Sequence, residues 1–290
     1  MIFSAESFTS FDQAALVLWR SPKLIARPTL HWAHATGFSA LTYLPILNAL
    51  AEEMNVVAWD MRGHGRSSGS GVRDSFSGWE TYYRDMVAML DASPEPIWLA
   101  GHSIGATCSL VAACQRPEKV KGLLLCEPVI LDLRSRLLLR LMRSLGRADR
   151  IGLAKGAARR RSTFPSREDA LMNYRAKATF RSWTDEWLRA YVDAGFRAHE
   201  SEGVQLACSP QWESLTFQHT ESSPWGRIKR LPIEVRVLAG TKGSTFPQSV
   251  HSRFRHRMPG AKIVSIENGS HFLPMESPNA VTDELFDLVK

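Results

Sequence analysis

The chain has 290 residues, of which 44% are hydrophobic, 22% charged and 9% aromatic. This composition is ordinary for a globular protein and excludes fibrous, collagen-like and disordered chains. No stretch approaches the ~20 uninterrupted apolar residues that a membrane-spanning helix needs, and we expect no secretory signal. The four cysteines form no Cys-x-x-Cys pair, so we expect buried thiols and a cytoplasmic protein.

The positive charge of the chain is concentrated in one segment. Lys and Arg outnumber Asp and Glu by 36 to 29, which gives a net charge of +7. Residues 131–230 contain 19 basic and 11 acidic residues, so this segment alone carries the excess. We interpret it as a solvated, arginine-rich helical surface, and we expect no nucleic-acid partner.

Short apolar runs alternate with amphipathic stretches over residues 1–130, a pattern that stops near 131 and resumes near 231. It predicts an α/β fold with a mostly parallel, doubly covered sheet. The predicted strands are Ala15–Arg20, Thr29–His34, Val56–Asp60, Ile97–Ala100, Leu123–Cys126, Glu234–Ala239 and Lys262–Ile266. The predicted helices are Leu41–Met54, Trp79–Asp91, Ile104–Arg116, Ser249–Met258 and Pro278–Lys290. We predict a core of residues 1–130 and 231–290, with residues 131–230 inserted as a helical cap.

One motif carries recognisable chemistry. Residues Gly101-His102-Ser103-Ile104-Gly105 follow a predicted strand, begin a predicted helix and fit the G-x-S-x-G nucleophile elbow. In an elbow the strained turn lifts the serine hydroxyl above the sheet, and the glycines allow the helix to approach the strand. A second match over residues 65–69 begins no helix and is predicted to be a loop. The context therefore selects Ser103 as the nucleophile.

Four segments, in this order, resemble the α/β-hydrolase family. They are His34-Ala35-Thr36-Gly37-Phe38, Asp60-Met61-Arg62-Gly63-His64-Gly65-Arg66-Ser67, the Ser103 elbow, and Gly269-Ser270-His271-Phe272-Leu273-Pro274. The resemblance covers about residues 1–130 and 231–290, and the insertion lies where this family carries its cap or lid. The resemblance implies that His271 is the general base, because it follows a strand in a glycine-containing turn and comes after Ser103 in the chain.

The third residue of the family's catalytic triad is an acid that orients the general base. In this sequence its position departs from the family's commonest pattern. The family often places an aspartate in a segment like G-x-x-D-x-x-x-P, and residues 240–247 have Gly243 at that position. Either the protein is a non-catalytic relative or the acid comes from elsewhere. Glu127 directly follows a predicted strand, which is the acid position of some members of this fold, notably haloalkane dehalogenases. We predict that Glu127 orients His271, and a salt bridge at the hinge of the cap is the alternative role.

The resemblance also implies an oxyanion hole of backbone N–H groups from Ile104 and Thr36, with Gly37 or Phe38 as alternatives to Thr36. A serine nucleophile disfavours dehalogenase and epoxide hydrolase activity, which use aspartate. No metal-binding or phosphate-binding motif is present, so we expect no metal and no cofactor. The sequence therefore predicts a serine hydrolase that cleaves small or medium carboxylic esters through an acyl-enzyme on Ser103. The alternatives are a lipid-directed or carbon–carbon bond hydrolase, and a non-catalytic ligand-binding relative.

Three groups of residues in the predicted cap suggest what the cap contacts. Leu133, Leu137, Leu138, Leu141 and Leu145 form an apolar stripe opposite Arg136, Arg140, Arg143 and Arg147. We expect the apolar face to cover the active site, and peripheral contact with an anionic lipid surface is the less expected alternative. Trp183, Trp187, Trp212 and Trp225 are expected to line an acyl pocket or to pack the cap core. Residues 159–161, three arginines, are expected to be solvated.

Overall fold

The central sheet of the computed structural model, which describes residues 3–67, 76–221 and 223–290, has eight strands. Across the sheet they are β1 (Ser4–Thr9), β2 (Ala15–Arg20), β4 (Asn55–Asp60), β3 (Thr29–Ala33), β5 (Ile97–His102), β6 (Val120–Cys126), β10 (Glu234–Gly240) and β11 (Lys262–Ile266). Strand β2 pairs antiparallel with β1 and with β4, whereas every other neighbouring pair is parallel. The predicted α/β class with a mostly parallel sheet is confirmed.

Helices cover both faces of this sheet. They are α1 (Leu44–Leu50), α2 (Trp79–Ala92), α3 (Ile104–Gln115), α9 (Gln248–Arg257), α10 (Leu273–Glu276) and α11 (Pro278–Val289). Leu124 belongs to one buried apolar cluster, and its neighbours Leu123 and Leu125 belong to another. Since successive side chains of a strand point to opposite faces, the two clusters are the two layers of the core. This double burial explains why the parallel strands read as continuous apolar runs.

Two elements of the core differ from their predictions. Strand β1 was not predicted, because most of its residues are exposed at the sheet edge and form no apolar pattern. The predicted helix Leu41–Met54 is a short 3-10 helix, Ala40–Tyr43, followed by α1. Pro45 lies in the first turn of α1, where its missing N–H costs no hydrogen bond. The chain can therefore turn from one helix into the other at this position.

Residues 131–230 form a layer of helices and a small second sheet. The helices are α4 (Leu133–Ser144), α5 (Gly152–Ala158), α6 (Arg167–Arg175), α7 (Asp185–Gly195) and α8 (Pro210–Gln218). The strands β7 (Thr163–Phe164), β9 (Val204–Leu206) and β8 (Phe196–Ala198) pair antiparallel. These strands have only two or three residues, which is too short for a period-two pattern to be visible. The division into core and cap at 131 and 230 stays a prediction.

The orientation of α4 is the reverse of the predicted one. Its five stripe leucines are each between 54% and 63% exposed. Arg136 instead donates to Ser223 Oγ at 2.8 Å, and Arg143 donates to Gln218 O at 2.8 Å and to Thr220 O. The carbonyls that end a helix have no partner within it, and the end of α8 obtains one from Arg143. The expectation that the apolar face covers the active site is therefore wrong.

Two of the four tryptophans of this segment, Trp187 and Trp212, contact the α/β core, and Trp79 of α2 contacts α8 in return. Trp212 Nε1 is 3.0 Å from both Arg62 O and Tyr82 Oη, and Trp79 Nε1 donates to Thr216 O at 3.0 Å. Trp187 lies edge-on to Tyr43 with ring centroids 6.2 Å apart. These contacts fix α7 and α8 on the core. Within the described ranges, no helix combines the length and apolar character that a membrane crossing would need.

Only part of the arginine run 159–161 is solvated. Arg159 and Arg161 are exposed, whereas Arg160 turns inward. Its guanidinium forms an ion pair with Glu213 and donates to the hydroxyls of Tyr174 and Tyr191. The expectation of a fully exposed run is wrong for Arg160, because a carboxylate and two phenols replace the water that the charge would otherwise need.

Candidate active site

Ser103 lies on a sharp turn between β5 and α3. Its backbone has φ +58° and ψ −121°, a conformation that is strained for a residue with a side chain. A Cβ at Gly105 would lie 2.3 Å from Ala33 O, and one at Gly101 would lie 2.7 Å from the backbone of Gly105. Glycine at both positions is therefore required for α3 to approach the sheet. Of the second motif match, Ser68 and Gly69 lie outside the described residues.

The Ser103 hydroxyl faces His271. Ser103 Oγ is 3.0 Å from His271 Nε2, which is hydrogen-bond distance. His271 lies in the turn between β11 and α10, and this turn is closed by hydrogen bonds from Ser270 to the Glu276 carboxylate. On the other side of the ring, Nδ1 lies 3.2 Å from Thr245 Oγ1 and 3.4 Å from Glu127 Oε2. The structure thus brings Ser103, His271 and Glu127 together.

The Glu127 carboxylate is fully buried directly after β6. It accepts hydrogen bonds from Gly240 N–H at 2.6 Å, from Ser244 Oγ at 2.8 Å and from Thr245 N–H at 2.9 Å. Burial raises the pKa of this carboxyl, but the hydrogen bonds from His271 and from the Gly240 amide outweigh it. The resulting pKa of Glu127 is below its ordinary value, so the group is ionised at neutral pH.

The loop after β10, which lacks the family's usual acid, donates hydrogen bonds to the Glu127 carboxylate. Gly243 lies in it with φ +61°, and nothing is within 4 Å of where its Cβ would be. In the same loop, the Thr245 hydroxyl donates its proton to the backbone oxygen of Glu127 at 2.8 Å. Thr245 Oγ1 can therefore accept a hydrogen bond from His271 Nδ1. Ser244 and Thr245 were missed by sequence reasoning. The signal in the sequence was the pair of hydroxyl residues directly after Gly243, in a chain that places its substitute carboxylate at Glu127.

His102 joins three loops of the site through buried hydrogen bonds. Its Nε2 is 2.6 Å from His271 O, and its Nδ1 is 2.7 Å from Tyr43 Oη. A carbonyl accepts only, so Nε2 carries the proton and Nδ1 accepts from the Tyr43 hydroxyl. Ala35 N–H donates to the same Tyr43 oxygen at 3.2 Å. Burial holds the pKa of His102 well below its ordinary value, so the ring is neutral, and sequence reasoning missed this connection.

The predicted oxyanion residues, Ile104 and Thr36, follow the strands β5 and β3, which are neighbours in the sheet. Ile104 is the first residue of α3, so its N–H has no acceptor within the helix. Thr36 lies in the turn after β3 and is buried. Among the alternatives, Phe38 N–H donates to Ala35 O at 3.2 Å, and the Gly37 backbone interacts with the Cys208 thiol.

A profile of the alpha/beta hydrolase family matches residues 31–284. The chain belongs to the alpha/beta hydrolase family. This confirms the resemblance that the four segments carry. Monoglyceride lipase of Rattus norvegicus is 37% identical over 84 residues, which are 27% of this chain and 27% of that enzyme. The match therefore leaves most of the length of this relative uncovered.

Two solved structures show how closely this alpha/beta hydrolase follows the common fold. An E-2-(acetamidomethylene)succinate hydrolase has a TM-score of 0.79 at 15% identity, with 99% of both chains covered. The thioesterase domain of a curacin biosynthetic pathway has a TM-score of 0.79 at 19% identity, with 99% of this chain and 100% of that chain covered. At these identities the similarity concerns the fold alone.

Proposed function

We propose that the protein is a serine hydrolase that cleaves carboxylic esters through an acyl-enzyme on Ser103. The observation that carries this proposal is the 3.0 Å contact between Ser103 Oγ and His271 Nε2, with the Glu127 carboxylate on the far side of the imidazole. A serine hydroxyl is a poor nucleophile on its own and needs a base, which in turn needs an orienting acceptor. The three side chains supply these roles.

The proposed reaction has two halves. His271 Nε2 takes the proton of Ser103 as Oγ bonds to the ester carbonyl carbon, and the tetrahedral oxyanion is stabilised by backbone N–H groups. Collapse of this intermediate expels the alcohol, which receives the proton from His271, and leaves the acyl group on Ser103. Water then attacks the acyl-enzyme, gives its proton to His271, and releases the carboxylic acid as Ser103 recovers its proton.

Glu127 has two roles in this proposal. As an acceptor for Nδ1–H it keeps the proton off Nε2, and as a buried anion it stabilises the imidazolium that forms in each half-reaction. Thr245 Oγ1 shares the Nδ1 contact. Within the described residues the ion-pair partner of Glu127 is His271 and not a lysine or arginine, which supports the orienting role over a salt bridge at a hinge.

We assign the oxyanion hole to the N–H groups of Ile104 and Thr36. Two contacts support Thr36 over its neighbours: Phe38 N–H is already bonded to Ala35 O, and the Gly37 backbone interacts with Cys208. Side-chain identity matters little for a backbone donor, so this assignment depends on the turn after β3 rather than on the threonine hydroxyl.

We also propose that residues 131–230 act as a cap on a core of residues 1–130 and 231–290, and that the substrate is a small-molecule ester. The buried hydrogen bonds of Trp212 and Trp79 support a cap that is anchored along α8. The described cysteines are free and buried, which supports a cytoplasmic location.

A lipid-directed hydrolase is the second candidate. The 84-residue similarity to rat monoglyceride lipase favours it, as do the exposed leucines of α4. In this version the chemistry at Ser103 is unchanged, and the acyl chain of the substrate is longer.

The test is the initial rate of hydrolysis of p-nitrophenyl esters from acetyl to palmitoyl. Ser103→Ala is the blank. Ser109→Ala is the matched control, because Ser109 is buried in α3, the helix that begins directly after Ser103, and its hydroxyl has no hydrogen-bond partner in the described part of the chain. We expect hydrolysis by the wild type and by Ser109→Ala only. A preference for long chains favours the lipid-directed version. Rates equal to the blank at every length contradict ester hydrolysis, and diketone substrates then test a carbon–carbon hydrolase.

A further inference from the structure

Helix α4 and its C-cap residue expose a broad apolar surface, which we call the leucine face: Leu133, Leu137, Leu138, Leu141 and Leu145. At 3.6 residues per turn these positions fall on one side of the helix. Each is more than half exposed. A monomeric protein rarely exposes contiguous large apolar side chains without an interaction that uses them.

The opposite side of α4 is fixed on the protein. Leu139 is buried, and the inward guanidinium groups of Arg136 and Arg143 hold Ser223, Gln218 and Thr220. Turning the leucine face inward would break these hydrogen bonds and expose the arginines' acceptors. The outward position of the leucines is therefore part of how this helix is attached.

The surroundings of the leucine face are strongly basic. Helix α4 itself contains four arginines and no acidic residue. Arg134, Arg140 and Arg147 are exposed beside the leucines. The segment that follows adds the exposed Arg150, Lys155, Arg159 and Arg161, whereas the acidic residues of the whole stretch 132–161 are Asp132 and Asp149. The face thus combines an apolar stripe with a positive rim.

We propose that the leucine face docks on the surface of an anionic lipid bilayer. The leucines enter the boundary between headgroups and acyl chains, and Arg134, Arg140 and Arg147 lie against the headgroup phosphates. Basic amphipathic helices bind such surfaces through buried apolar area together with attraction to anionic lipids. This inference goes beyond the proposed function, because docking needs no chemistry at Ser103.

Two other occupants fit the face less well. A second copy of the chain would bring two positively charged rims together, and like charges across an interface oppose association. A protein partner is recognised mainly through aromatic and arginine anchors seated in pockets, with leucine under-represented. Five similar leucines on a convex helix offer no such anchor, whereas fluid acyl chains accept them without shape complementarity.

The first experiment is co-sedimentation of the full chain with vesicles. The Ser103→Ala variant is used, so that lipid hydrolysis cannot alter the vesicles and the result is independent of the proposed activity. Phosphatidylcholine vesicles are compared with vesicles that also contain phosphatidylglycerol, at low and high salt. We expect binding that requires the anionic lipid and that weakens as salt is raised.

Paired variants test the assigned surface. Leu137→Gln with Leu141→Gln should lower the partition constant about tenfold or more, because two side chains lose their apolar transfer. Arg134→Gln with Arg140→Gln should weaken binding to anionic vesicles only. The matched controls are two exposed residues outside the leucine face. Ile25→Gln changes a residue that is 93% exposed and lies well before α4 in the sequence, and Arg255→Gln changes an arginine of α9. Neither control should change binding, and no variant should lower Tm, because all these positions are exposed.

A label on α4 gives a second readout. Since the described cysteines are buried, Leu138→Cys places one accessible thiol on the leucine face, and an environment-sensitive dye there should shift to the blue with anionic vesicles. No binding to anionic vesicles overturns the proposal, as does equal binding by the leucine variant. A dimer that the leucine substitutions dissociate also overturns it, because the occupant would then be a second copy of the chain.

Discussion

Glu127 Oε2 lies 3.4 Å from His271 Nδ1, although 144 positions separate the two residues in the chain. Strand β10 lies between β6 and β11 in the sheet, and parallel strands end at the same edge. The end of β10 and the loop after it, which has Gly243 where the family often has its acid, therefore pass beside Glu127 and donate to its carboxylate through the N–H groups of Gly240 and Thr245. The loop that has Gly243 in place of the usual acid is therefore also the loop that binds the carboxylate of its substitute, Glu127.

Replacement of Glu127 by glutamine tests its orienting role. Glu127→Gln should lower kcat about 10²- to 10⁴-fold, because the amide removes the negative charge and favours the wrong imidazole tautomer. The measurement is kcat and KM on the best p-nitrophenyl ester, with Tm recorded in parallel. A variant that keeps the wild-type kcat would remove Glu127 from the triad and leave Thr245 as the partner of Nδ1.

The Tyr43 hydroxyl should matter through the hydrogen bonds it makes with Ala35 and His102. Tyr43→Phe leaves His102 Nδ1 and Ala35 N–H buried without a partner, which costs about 1–3 kcal/mol of stability. Because His102 also holds His271 O, we expect kcat to fall roughly tenfold with little change in KM.

Tyr83→Phe is the matched control for this prediction. Tyr83 is equally buried, but within the described residues its hydroxyl has no hydrogen-bond partner. Denaturant unfolding and steady-state kinetics of both variants decide the matter. Equal behaviour of the two would show that the Tyr43 hydroxyl contributes nothing to the site.

The sequence predicts the core and much of the site for identifiable physical reasons. Buried parallel strands read as apolar runs, the elbow needs glycines around Ser103, and Glu127 stands directly after a strand. The orientation of α4 was not predictable, because amphipathicity defines two faces without saying which one packs. The acceptors that turn Arg143 inward lie 75 and 77 residues further along the chain. The same holds for Arg160, whose partner Glu213 is 53 residues away.

The buried ion pair of Arg160 and Glu213 gives a stability prediction. Arg160→Met leaves the Glu213 carboxylate buried without its partner, which should lower the free energy of unfolding by about 3–5 kcal/mol. Arg159→Met is the control, because Arg159 is the neighbour of Arg160 in sequence and is itself exposed. Denaturant titration of both variants measures the difference. Equal stability would mean that Glu213 is satisfied without Arg160.

Buried histidines should make folding pH-dependent. Burial lowers the pKa of His31 from 6.5 to about 3, so below pH 6.5 the unfolded chain binds a proton that the folded chain does not. The contribution of His31 to the free energy of unfolding does not change with pH above about 6.5. Its contribution then decreases by about 1.4 kcal/mol per pH unit as pH falls toward 3, with a gradual onset around 6.5.

His31→Leu isolates this effect. The free energy of unfolding of the wild type minus that of the variant should decrease as pH is lowered below 6.5, whatever the difference at neutral pH. Chemical denaturation across a pH series measures it. Parallel curves for the two proteins would show that His31 is protonated in the folded state as readily as in the unfolded chain.

The most direct test of the central claim is to trap the acyl group on Ser103. The wild type is mixed with p-nitrophenyl acetate, the release of p-nitrophenolate is followed in the first turnover, and the acid-quenched protein is digested and analysed by mass spectrometry. We predict an acetyl group on the peptide that contains Ser103, accumulating further in Glu127→Gln if deacylation is slowed more than acylation, and absent in Ser103→Ala. An unmodified Ser103 in a protein that still hydrolyses the ester faster than Ser103→Ala would contradict the acyl-enzyme.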